Sequence, residues 1–354
     1  MKVPGPARHR QAALDIAIVA SPVTPVPAPA GGAQAFVVDL ARWLARKHDV
    51  TVYCAEGSRV LGAKQVTVPV PDDASRALVL PGGRPPEPLA SMRRAFEKLF
   101  FEVRRRSHDV VSQHAFDAEA FELSAGLPVL HTLHLPPLVP AVVDAARVLE
   151  PRVLAAVSQA SRDDWERVGV RVGRVLRNGV PDLRVDHEEV RPVGLIAGRL
   201  SPEKGVEDGI QAAMLADLRP LVVGAPYDRG YVPDLAGVDR VGPLDRGELR
   251  RLMGRCAVTL VPARWEEPFG LVAAEAQMAG CPVAGYRRGA LPEVVEEGVS
   301  GFLAAPDSIE ALSHAARACR MLDRRAVRRS ALRRLAFAPC VARYESALAE
   351  VAGR

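Results

Sequence analysis

Two glutamates eight positions apart, Glu267 and Glu275, stand inside the stretch Val258 to Val283. A short apolar strand, Val258 to Val261, is expected to give way there, through a polar turn, to a helix opening near Pro268 and stopping at Gly280. Proline suits a first helical turn, where the N–H it lacks would have no partner, and glycine suits a left-handed stop. On a continuous helix the two carboxylates would lie about 12 Å apart along the axis. Between them the free amides of Phe269, Gly270 and Leu271 are expected to point out of the helix N-terminus, where partial positive charge draws phosphate. Amides that bind an anion, with a carboxylate on either side, suit a diphosphate carrying a polyol at each end. A nucleotide sugar is such a ligand.

Two glutamates at this spacing arise by chance in many chains, so a second element has to support the first. It stands some sixty residues upstream in Gly198-Arg199-Leu200-Ser201-Pro202-Glu203-Lys204-Gly205. Arg199 can hold a phosphate through two parallel hydrogen bonds, while Lys204 supplies a compact point charge. The plainer reading is two surface cations beside a helix capped by Ser201. With both elements in view, the chain resembles the family 4 retaining glycosyltransferases of the GT-B fold, most strongly from Val193 to Ala311. Their signature is a Glu-x7-Glu helix preceded by a Gly-Arg…Lys-Gly loop.

That resemblance implies an α/β architecture of two Rossmann-like domains facing each other across a cleft. Residues 1–185 would form the acceptor domain and 190–337 the donor domain, with helix 338–354 crossing back onto the first. Arg199 and Lys204 would neutralise the leaving nucleotide, Glu267 would hold the sugar near its 3-hydroxyl, and Glu275 would hold the ribose. Gly242 and Leu244 lie where the family contacts the nucleobase through its backbone. Thr132-Leu133-His134 is similar to the family's Thr-x-His turn, which places His134 against the transferred sugar. Gly31 and Gly32 match a glycine pair set against the donor phosphates. Asn178-Gly179-Val180 resembles the segment between the domains, but Pro181 stands where an aspartate is usual and Asp182 comes one place late. The resemblance also implies a UDP- or GDP-sugar co-substrate, a hydroxyl acceptor, and neither metal nor cofactor. No Asp-x-Asp occurs in the chain.

The elements that must position these residues alternate strand with helix. Leu14 to Ala20 reads as a buried parallel strand. A proline-rich stretch follows and closes on Gly31-Gly32; then come a helix from Ala33 to His48 and a strand from Val50 to Cys54. Glycines at the mouth of the first helix of such a βαβ unit let a ligand approach the backbone, or simply make a tight turn. The dinucleotide fingerprint is missing, so NAD is not implied. His114 and His131 share with His134 a position at or near a strand's carboxyl end, and those ends offer no obvious Asp or Glu. No carboxylate base or nucleophile stands out on that side, although His131 or His114 could serve as a base, so front-face attack with retention of configuration is the expected course. Asp182 to Val190 reads as the junction between domains. Val206 to Leu215 reads as a helix, Pro220 to Val223 and Val238 to Val241 as strands, and Tyr344 to Val351 as a terminal helix.

Composition bounds the rest. The 354 residues, 48% hydrophobic and 25% charged, suit two globular domains. A net charge of +5 permits an anionic substrate or surface without requiring nucleic acid. Five scattered cysteines show neither zinc spacing nor a disulfide framework, which suits a reducing cytoplasm. The basic, amphipathic Leu89 to Arg106 and the Arg-rich Ala315 to Leu335 could touch the inner membrane face or be ordinary solvated helices. Two other readings compete: an isomerase or hydrolase of GT-B type acting on the same nucleotide sugar, and a non-catalytic module that binds anionic lipid or polymer.

Overall fold

The structure is a computed structural model that describes residues 13–27, 31–74, 90–182, 189–226 and 238–354, with 231, 233 and 235. The expected domain junction falls largely at 183–188, outside the described residues, as does Leu89.

The first half runs Asp15–Val19 (β1), Gly32–Leu44 (α1), Asp49–Ala55 (β2), Lys64–Val68 (β3), Ala90–Arg104 (α2) and Val110–Gln113 (β4). It continues with Ala118–Leu123 (α3), Val129–Leu133 (β5), Pro140–Arg147 (α4), Leu154–Ala156 (β6), Gln159–Arg167 (α5) and Arg174–Val175 (β7). These strands form one parallel sheet in the order β3-β2-β1-β4-β5-β6-β7. The continuous apolar run in β1 places it at an inner position, covered on both faces, whereas edge strand β3 is mostly exposed.

The second half runs Arg191–Ala197 (β8), Val206–Leu215 (α6), Arg219–Val223 (β9), Asp239–Val241 (β10), Arg246–Arg255 (α7) and Cys256–Val261 (β11). It ends with Leu271–Met278 (α8), Val283–Tyr286 (β12), Leu291–Val294 (α9), Gly301–Ala304 (β13), Ile309–Cys319 (α10), Arg324–Arg334 (α11) and Phe337–Val351 (α12). Its parallel sheet is ordered β10-β9-β8-β11-β12-β13. In each sheet the strand order reverses once, between β1 and β4 and between β8 and β11. Chain connections diverge at such a point and leave a crevice at the strands' carboxyl ends, where ligands bind in open α/β sheets.

Helix α12 packs on the first sheet. Phe337, Cys340, Val341, Tyr344 and Leu348 join Ile16, Ile18, Phe36 and Leu40 in one apolar core. Each large side chain buried there contributes about 1.5–3 kcal/mol. Val180 donates its N–H to the Leu335 carbonyl where the chain returns.

The expected start of the helix behind Glu267 needs correction. Helix α8 begins at Leu271, and Gly270 is its N-cap at φ 86°, so Pro268 and Phe269 belong to the preceding turn. Gly280, at φ 76°, does close the C-terminal end. The basic helices also differ from expectation, because many of their arginines brace the fold. Arg317, Arg320, Arg324, Arg328 and Arg334 donate to backbone carbonyls, and Arg328 also reaches Asp182. In α2, Arg93 pairs with Glu122, and Arg104 reaches the carbonyls of Leu123, at the end of α3, and Ala125 just beyond it. Their guanidinium N–H groups are thereby partly engaged within the fold. Among the described residues no helix is long and apolar enough to cross a membrane.

Gly205 shows how tightly the cation loop is seated. It sits at φ 61°, and a Cβ there would lie 2.1 Å from the Pro262 carbonyl oxygen. Gly205→Ala combines left-handed strain with a backbone clash, so a loss of about 3 kcal/mol is expected. A shift in the urea midpoint measures it, and an unshifted midpoint would show that the loop can move away from β11.

Candidate functional site

Both sheets turn their carboxyl ends toward one cavity of about 420 Å³. From the second half come Gly198, Arg199 and Lys204 after β8, and after β11 the stretch from Pro262 to Val272 apart from Arg264 and Glu266. The first half contributes Gly31 and Gly32 at the start of α1, the loop from His114 to Glu119 after β4, and His134 after β5. Of the expected site residues, Gly31, Gly32, His134, Arg199, Lys204, Glu267, Phe269, Gly270 and Leu271 are thus brought together. Glu275, Gly242 and Leu244 are not on the wall of this cavity.

Helices α1 and α8 both open onto it. Neither N-cap, Gly31 or Gly270, provides a side-chain cap bond. The two helix starts are close enough that a Cβ on Gly32 would lie 3.0 Å from Cδ1 of Leu271. Two uncapped N-termini converging on a cavity concentrate free amides and positive dipole ends, the environment that phosphate groups favour.

Behind the α8 start, the Lys204 ammonium donates to Glu267 Oε2 at 2.7 Å and lies 4.6 Å from the centre of the Trp265 ring. Trp265 Nε1–H donates to the same oxygen at 2.8 Å. Burial alone would raise the Glu267 carboxyl; Lys204, followed by Trp265 and Arg199, outweighs it and holds the acid below the usual glutamate value. Arg199 is aimed by Glu203, 3.4 Å from its Oε1, and that oxygen also accepts from Ser201 Oγ at 2.6 Å. Ser201 therefore positions Glu203 and does not cap a helix.

Glu275 sits in a separate polar knot. Its Oε1 accepts from Arg246 at 2.9 and 2.5 Å and from Arg250 at 2.9 Å, and Arg246 also reaches Asp39 of α1 at 2.5 Å. Burial would raise this carboxyl too, but Arg246 and then Arg250 reverse the sign. Arg246 therefore stands between Glu275 and the first half. None of the three partners was foreseen from the sequence. The helix start that carries Arg246 was legible, because Asp245 and Glu248 form a reciprocal capping box. Gly242 is exposed on the loop just before it.

On the opposite wall His134 Nε2 lies 2.8 Å from His114 Nδ1, and Ser112 Oγ lies 2.8 Å from His114 Nε2. Burial pushes His134 down to about 4, and burial followed by His134's charge depresses His114, so both rings are neutral near pH 7. His131 is fully buried, stacked on Phe121, and does not line the cavity. The expectation that this side offers no acid is overturned: Asp117 and Glu119 both line it. The two halves also meet beside the site, where Ser158 Oγ donates to the Pro268 carbonyl at 2.6 Å and Glu293 accepts from the Gln159 and Ala160 amides.

The sequence matches the family model for Glycosyltransferase Family 4 over residues 30–183 and that for Glycosyl transferases group 1 over residues 184–319. The chain belongs to the family 4 glycosyltransferases. This glycosyltransferase chain is 36% identical over 160 residues to a Mycobacterium tuberculosis (strain CDC 1551 / Oshkosh) glycogen synthase, a match covering 40% of this chain and 38% of that relative. It is 28% identical to the D-inositol 3-phosphate glycosyltransferase of Acidothermus cellulolyticus over 91% of this chain and 88% of the relative. In fold it is similar to Anabaena Alr3699/HepE in complex with UDP-glucose, with a TM-score of 0.70, 20% identity, and coverage of 95% and 100% of the two chains. The fold is GT-B, as the resemblance implied.

Proposed function

We propose that this protein is a retaining glycosyltransferase, moving a sugar from a UDP- or GDP-linked donor to a hydroxyl acceptor without a metal. The observation that carries this reading is the meeting of two uncapped helix starts with Arg199, Lys204 and Glu267 on one cavity wall. The amides and the two cations suit a diphosphate, and Glu267 beside them suits a hydroxyl of the attached sugar. As the bond from the anomeric carbon to the phosphate oxygen breaks, Arg199 and Lys204 stabilise the charge left on the nucleotide. The acceptor oxygen bonds to the same face of that carbon, and its proton passes to the departing phosphate oxygen. His134, neutral, is placed to donate or accept one hydrogen bond to the sugar. For Glu275 to take the ribose, Arg246 must first turn away from it.

One experiment tests the mechanism. Turnover of a UDP- or GDP-sugar in excess EDTA should proceed, and proton NMR of the first glycoside should show the donor's anomeric configuration. Abolition by EDTA with rescue by Mg²⁺ would remove metal independence. An inverted product would remove front-face attack and make Asp117 or Glu119, the two acids the cleft adds to the sequence reading, the foremost candidates for a base.

A further inference from the structure

The first-half wall of the cavity has an unusual charge balance. In a protein with a net charge of +5, its described residues include two carboxylates, Asp117 and Glu119, and no lysine or arginine. His114 and His134 supply no positive charge there near neutral pH, as both are held neutral by burial.

Neither carboxylate has an ordinary structural task. Asp117 is the N-cap of α3, where aspartate normally accepts from the helix amides, yet it makes no cap bond. Its Oδ2 accepts instead from Ser21 Oγ at 3.2 Å, on the cavity side. Glu119 is only 7% exposed and has no hydrogen-bond partner among the described residues. Arg93 of α2 pairs with Glu122 at 2.8 Å and acts on Glu119 only through space, less than on Glu122 and Glu97. A buried carboxylate without a partner is costly unless something brought from outside compensates it. Burial, followed by the charge of Glu119, pushes Asp117 up to about 7, so near neutrality it is only partly ionised and a cation beside it would favour the carboxylate. Among the described residues no third acid, histidine or cysteine joins the pair to make a metal cluster. The wall around it is apolar, with Phe116, Leu138, Val139 and Val142.

We infer that Asp117 and Glu119 form the acceptor subsite, and that it takes a hydroxylated amine, such as an amino sugar or aminocyclitol, held by its ammonium group. The apolar wall covers the carbon skeleton, and a hydroxyl is left to face the donor sugar. A phosphorylated acceptor is disfavoured, because its charge would meet two carboxylates in a region of low dielectric.

This inference rests on the glycosyl-transfer reading, so binding of UDP and GDP to the full chain is measured first. Affinities of glucosamine, glucose and glucose 6-phosphate are then compared by saturation-transfer NMR with nucleotide bound, at neutral pH, where the amine is largely protonated and Asp117, pushed up to about 7, still ionises. Glucosamine should bind about tenfold or more tightly than glucose, the scale of hydrogen bonds to a charged group, and glucose 6-phosphate should bind most weakly. Glu119→Gln and Asp117→Asn should each narrow that preference without unfolding the protein. Nucleotide binding combined with equal affinities, with a preference for the phosphate, or with a preference that survives both substitutions overturns the acceptor assignment alone. Failure of the wild-type chain to bind either nucleotide overturns the glycosyl-transfer reading and this assignment with it.

Discussion

Replacement of Lys204 by alanine should leave a folded protein whose turnover is lower by about two or more orders of magnitude. The ammonium stands 2.7 Å from Glu267 and over the Trp265 ring, beside the α8 start, where the proposed mechanism has charge build up on a departing diphosphate. Its loss also leaves Glu267 buried, with only the Trp265 N–H and more distant Arg199 to support its charge. The pH behaviour distinguishes the two effects. Because Glu267 is held below its usual value, it contributes stability that is full above the ordinary glutamate range and is lost as pH falls through the folded value. The Tm gap between wild type and variant should therefore be widest near neutrality and close in acid. The loss of turnover should persist wherever both proteins are folded. A near-normal kcat would remove the loop from the mechanism, whatever happens to Tm.

The largest effect on stability should come from Glu275→Ala, at about 3–5 kcal/mol. Arg250 is 1% exposed, and its Nη2 bonds Glu275 Oε1 at 2.9 Å. Truncating the carboxylate leaves a guanidinium buried in the second half with the Pro181 carbonyl as its other side-chain partner. Arg246 at the same time loses one of its two carboxylates and keeps Asp39. Urea unfolding measures the loss, and a value below about 1 kcal/mol would mean that water reaches Arg250. In an activity assay the same variant would resemble a donor-binding defect. Nucleotide affinity must therefore be read at a temperature where the variant is folded.

Local patterns made the fold legible. Apolar strands alternating with amphipathic helices leave few alternatives to paired parallel sheets, and α6 falls at Val206 to Leu215 as its periodicity indicates. The place of Arg199, Lys204, Glu267 and His134 around one cavity agrees with the resemblance that singled them out, since each follows a strand end and the switch points of both sheets gather strand ends. The start of α8 was misplaced because Pro268 looks like a first-turn proline, whereas Gly270 in the left-handed region sets the boundary. The setting of Glu275 lay beyond reach, since its arginines come from 25 and 29 residues away and Asp39 lies 207 positions from Arg246. Asp117 and Glu119 escaped notice for another reason: at a helix start they have the form of ordinary capping acids. Only the absent cap bond and the burial of Glu119 set them apart.

Helix α12 ties the order of synthesis to the state of the first half. Its residues from Phe337 to Ala349 are part of the same core as β1 and α1, more than three hundred positions earlier. While the chain is still being made, the apolar surface of Phe36, Leu40 and Ile18 has no permanent cover, although its strands have already left the ribosome. The first half therefore becomes complete only after the second half has been made, and a chain that stops short of the last helix exposes the core of its opposite end.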